Sequence, residues 1–96
     1  MNAYTYAVLY LDITNVNVTS NSSYTICTGK ITNTGNMSVR YIKVKGAFKN
    51  ASGITVDTDW TYGIGSEWLA PGESTTFRLS VSKDTSIKKC NVTFIT

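Results

Sequence analysis

Histidine is absent from this chain, proline occurs once, at Pro71, and only six side chains are Asp or Glu. Each shortage removes a class of function. Without an imidazole, general acid–base work would fall to the few carboxylates. No glycine-rich phosphate loop, no serine on a nucleophile elbow and no Cys–His pair is present. The chain is therefore read as non-catalytic and free of cofactors. Two cysteines, Cys27 and Cys90, stand far apart rather than in a CxxC pair, and with no histidine to join them a metal site is not expected. The longest apolar run, Tyr6 to Leu11, is too short to cross a bilayer and lacks the marks of a signal peptide. Any membrane attachment would come from parts of a parent chain beyond these residues. A net charge of +3, with no basic run beyond Lys88-Lys89, gives no steering field of the kind nucleic-acid binders use.

Helix formers are also scarce, with four Leu and five Ala, whereas Val and Ile number eight each and Thr fifteen. Branching at Cβ stiffens a side chain and suits it to a pleated surface. No window of helical length carries apolar residues at helical spacing, so the class is all-β. At 96 residues the whole of 1–96 makes one domain, read as excised from something larger.

Alternation and turn residues divide the chain into about six or seven strands. Tyr4 to Ile13 reads as the first, extended past an irregular step by Val16 and Val18. Tyr24 to Asn33 puts Cys27, Gly29 and Ile31 on one face. Val39 to Phe48 alternates most clearly, with Ile42, Val44, Gly46 and Phe48 inward and Tyr41, Lys43, Lys45 and Ala47 outward. A turn at Asn50-Ala51-Ser52-Gly53 leads into Ile54 to Trp60. A long connection, Thr61 to Ala70, ends in the turn pair Pro71-Gly72. Thr75 to Val81 aligns Phe77, Leu79 and Val81, and Lys89 to Ile95 aligns Cys90, Val92 and Phe94. Short strands at this spacing predict an antiparallel sandwich. Both cysteines fall on core-facing positions. They are two buried thiols or one disulfide joining the sheets, and the disulfide is the preferred reading.

From Gly29 onward the chain resembles the FxLYD-type domain, an immunoglobulin-like module of bacterial and archaeal envelope proteins. The matching residues are Gly29-Lys30-Ile31-Thr32-Asn33, the strand Val39 to Phe48, Gly53, and Leu69-Ala70-Pro71-Gly72-Glu73-Ser74-Thr75-Thr76-Phe77. Where that family usually has Tyr-Asp after the Phe, this chain has Lys49-Asn50. The resemblance implies an immunoglobulin-like antiparallel β-sandwich of about seven strands. It also implies a setting on a secreted or cell-surface protein, as a structural, adhesive or spacer module with a protein or envelope polymer as partner.

Candidate ligand surfaces are few. Trp60, Tyr62 and Trp68 cluster around the long connection. Exposed, they would stack on sugar faces and make a carbohydrate-binding module; the commoner fate of such rings is to close the end of a core, and that is the expectation here. The same connection, exposed, is a lesser candidate for a protease-inhibiting loop. Tyr4, Tyr6 and Tyr10 share a face of the first strand and read as sheet packing. Asp57 and Asp59, with Glu67, offer oxygen ligands, but at no spacing a calcium loop uses, and read as a solvated strand edge. Lys30, Lys43, Lys45 and Arg40 form a basic set with no stacking ladder beyond Tyr41, so nucleic acid is not expected. Asn-x-Ser/Thr triplets at Asn17, Asn21, Asn36, Asn50 and Asn91 permit glycosylation in an exporting host and prove none.

Overall fold

A computed structural model describes residues 7–95. Six strands run in chain order: β1 (Leu11–Ser20), β2 (Tyr24–Asn33), β3 (Ile42–Asn50), β4 (Thr55–Ile64), β5 (Ser74–Ser82) and β6 (Ile87–Phe94). They form two antiparallel sheets, ordered β1-β2-β5 and β4-β3-β6. Two hairpins, β1–β2 and β3–β4, stay within a sheet, and every other connection crosses between sheets, as in Greek-key immunoglobulin-like sandwiches. The fold class is as expected, with six strands among the described residues.

The alternation read from sequence is the one that fills the core. Ile42, Val44 and Phe48 of β3 face Cys27 and Ile31 of β2 and Phe77, Leu79 and Val81 of β5 in one buried cluster. Gly46 leaves room among them, because a Cβ there would stand 2.7 Å from Leu79 and 2.8 Å from Cys90 Sγ.

Several boundaries differ from expectation, and one expected irregularity is present. Residues 7–9 form a helical turn rather than strand, with Tyr10 N–H donating to Ala7 C=O (3.1 Å), so β1 begins at Leu11. Tyr4 and Tyr6 lie outside the described residues. The irregular step before Val16 is real: Asn15 and Val16 together oppose Gly29, and Asn15 has φ 56°, a bulge in an edge strand. Val39 stands outside β3, in an isolated bridge to Leu69. Tyr41, with φ 56°, breaks the extended path between that bridge and Ile42. Finally β4 runs four residues past Trp60, because Thr61, Tyr62 and Ile64 keep pairing with Val44, Lys43 and Ile42.

The two cysteines meet across the interior but are not joined; the preferred disulfide is corrected to a pair of hydrogen-bonded thiols. Each packs as a small apolar residue between the sheets. The shared proton eases ionisation of Cys27 and opposes that of Cys90, whose thiol is pushed up by this bond and by burial.

One buried polar group organises the end of the sandwich. Asn33, 1% exposed, donates from Nδ2 to Met37 C=O (2.8 Å) and Leu69 C=O (3.0 Å). Its Oδ1 accepts from Gly35 N–H (3.0 Å). Its backbone exchanges bonds with the Pro71-Gly72 turn, Gly72 N–H to Asn33 C=O (2.8 Å) and Asn33 N–H to Glu73 C=O (2.9 Å). Gly72 holds φ 84°, the value a type II turn demands after proline. Glu73 closes that turn by accepting Ala70 N–H at Oε1 (2.7 Å). The Gly29–Asn33 and Leu69–Phe77 segments, distant in sequence, are thus one structural unit.

Candidate functional site

The outward face of the β4-β3-β6 sheet, with the Val39–Leu69 bridge beside it, gathers most of the large exposed aromatics among the described residues. Cross-strand register does this. Lys43 pairs with Tyr62 and Lys45 with Trp60, so rings from β4 and ammonium groups from β3 share the face. Lys43 Nζ lies 5.2 Å from the Trp60 ring centre and 5.6 Å from that of Tyr62. Trp60 and Tyr62, two residues apart on one strand, meet edge to face with centroids 5.9 Å apart.

The array continues past the sheet. The Val39–Leu69 bridge is closed by both backbone bonds, 3.0 and 2.8 Å, which sets Arg40 opposite Trp68. The Arg40 guanidinium carbon sits 4.3 Å from the Trp68 ring centre and 5.2 Å from that of Tyr41. Tyr41 then meets Tyr62 edge to face at 6.3 Å. Its left-handed backbone is locked by Tyr41 N–H donating to Gly65 C=O (3.0 Å). Trp60, Tyr62, Tyr41, Arg40 and Trp68 form one chain of contacts, with Lys43 over its β4 end.

These rings are not core. Trp60 is 54% exposed, Tyr62 48%, Tyr41 51% and Trp68 58%. The expectation that they cap the sandwich is overturned, because the core is already filled by Phe48, Ile31, Ile42, Leu79 and Val44. The protein keeps large apolar area in water, and edge-to-face and cation–π contacts hold the side chains in place.

The basic residues divide between the sheets. Lys30 lies on β2, in the opposite sheet, while Lys43 and Lys45 are joined on their own face by Lys49 and by Lys89 of β6, which oppose each other directly. Strands β3 and β6 carry no Asp or Glu, and Asp57 and Asp59 occupy the other face of β4. Asp59 Oδ2 accepts Ser80 N–H (2.9 Å) and so ties β4 to β5 across the open flank. Asp57 Oδ1 accepts Thr58 N–H (2.8 Å). Both carboxylates are structural, and among the described residues no group of three or more His, Cys, Asp or Glu is arranged to hold a metal. Glu67 and Glu73 line a depression with Trp68, Ile64 and Ser74, beyond the end of the basic face.

Sequence reasoning named Trp60, Tyr62 and Trp68 and, separately, Arg40, Lys43 and Lys45, and the structure brings these into one surface. It missed Lys49 and Lys89, and treated Tyr41 as an isolated ring. Counting outward from the Asn50–Gly53 turn would set Lys45 beside Asp59; a one-residue shift between Phe48 and Lys49, which turn chemistry does not mark, brings Lys45 beside Trp60 and Lys43 beside Tyr62. Comparison with known protein families, curated proteins and solved structures finds no match to this chain.

Proposed function

We propose that this domain is a non-catalytic binding module of a secreted or cell-surface protein, with its ligand lying on the outward face of β3 and β4. One observation carries the reading: four aromatic rings, including both tryptophans of the chain, stand about half exposed in a single cation-laced array. A pure spacer has no use for that much apolar area in water. Carbohydrate is the ligand class placed first, because the array lies on an open sheet face where ring faces and polar side chains alternate. The resemblance to FxLYD-type modules supports a prokaryotic envelope setting.

A protein partner is the second reading. Trp, Tyr and Arg are the residue types that dominate binding energy at protein interfaces, and this surface combines all three.

Both readings are tested by titrating the chain with polysaccharides and envelope fractions while following indole emission. A saturable response is expected, lost in the Trp60→Ala/Trp68→Tyr double variant with binding then followed by calorimetry. A ligand that binds this variant with unchanged affinity would place the site elsewhere.

A further inference from the structure

Resting on the reading that this face binds a ligand, we infer that the ligand is an anionic polysaccharide laid along β3. Charge complementarity makes the selection. Lys43, Lys45 and Lys49 project from alternate positions of one strand, with Lys89 beside Lys49 and Arg40 at the aromatic end. The three lysines of β3 span about 20 Å at the rise of an extended chain. No carboxylate from β3, β4 or β6 shares the face. A single sugar would occupy a fraction of that length, whereas a polymer with repeating negative charge matches it.

Two locally unfavourable features mark the opposite ends of β3. Lys49 and Lys89 are directly opposite, and like charges in that position destabilise a sheet. Tyr41 is an aromatic residue held at φ 56°, a region costly for side chains other than Gly, Asn and Asp. The lysine pair is not required by the core, its side chains lying on the outward face, whereas the left-handed turn at Tyr41 also serves the core by letting both Val39 and Ile42 enter it. A polyanion relieves the first by neutralising the paired ammonium groups, and uses the second because the left-handed turn sets the Tyr41 ring beside Tyr62 and Arg40. The rings supply stacking surface for sugar faces; the cations select for carboxylate or sulfate on the same polymer.

The test uses polygalacturonate and dextran sulfate as carboxylate and sulfate probes, neutral dextran and a mixed neutral-glycan panel as controls, and single-stranded poly-dT and an acidic protein as competing polyanions. Both polyanionic glycans are expected to shift indole emission saturably, with affinity falling as salt rises, while the neutral glycans do not. The Lys45→Gln/Lys49→Gln/Lys89→Gln variant is expected to bind about tenfold more weakly, and its thermal midpoint is expected to hold or rise, because the like-charge pair is gone. Neutral glycans binding as tightly as charged ones, in a salt-independent way that still needs Trp60, would overturn the anionic inference and leave the binding face intact. Tighter binding of poly-dT or the acidic protein would overturn it in favour of those ligands. Binding that survives Trp60→Ala but not the lysine changes would remove the aromatic-face reading as well.

Discussion

Tyr41 holds a left-handed backbone, φ 56°, yet its ring lies half exposed on the surface rather than in the core. That conformation costs a tyrosine about 1–2 kcal/mol, and asparagine tolerates it better. Tyr41→Asn is therefore expected to leave stability unchanged or raise it by up to about 1 kcal/mol, while weakening ligand binding through loss of the ring between Arg40 and Tyr62. Denaturant melts and titrations on the same protein check both halves. Asn33 behaves oppositely. Its amide satisfies two carbonyls and one N–H in a buried site, and all three lose their partner in Asn33→Ala. A loss of about 3 kcal/mol is expected from groups left unpaired away from water, measured as a fall in the denaturant midpoint with no change in slope.

At the scale of strands, legibility followed how strongly one face of an element is buried. β2, β3 and β5 read clearly because every second residue enters the core, and the Asn50–Gly53 turn was marked by its own chemistry: Asn50 Oδ1 accepts both Ser52 N–H (3.0 Å) and Ile54 N–H (3.1 Å). β4 was cut short because most of its residues are exposed on both faces, so no apolar alternation marks where it ends; pairing with β3 carries it to Ile64. The helical turn before Leu11 was hidden for another reason, since an apolar run of a few residues fits either conformation. The aromatic residues were found, but their exposure was not legible. A tryptophan in a β-rich sequence looks the same whether its strand position faces the core or solvent, and only the register decides. The tie between β4 and β5 was likewise invisible, because Asp59 acts on a residue of the other sheet. Asp59→Ala removes the acceptor of Ser80 N–H at a partly buried flank. It is expected to cost about 1 kcal/mol, with faster exchange of the Ser80 amide as the local readout.

Across the whole molecule, the two sheets are held by burial and by the thiol pair, and the ligand face is kept outside that core. Cys27 and Cys90 are buried, so alkylation is expected to be negligible in the native protein and to modify two thiols after unfolding without reductant. A chain that takes up no label when unfolded carries the disulfide instead. Because the core is filled without Trp60 and Trp68, these side chains report on the outer surface alone. Acrylamide quenching of tryptophan emission, in the free protein and then with polygalacturonate, tests the central claim most directly. The account predicts red-shifted, readily quenched emission that becomes protected as the polymer is added. Blue, unquenched emission from the free protein would mean that the rings are covered, and the outward face of β3 and β4 would cease to be the binding surface.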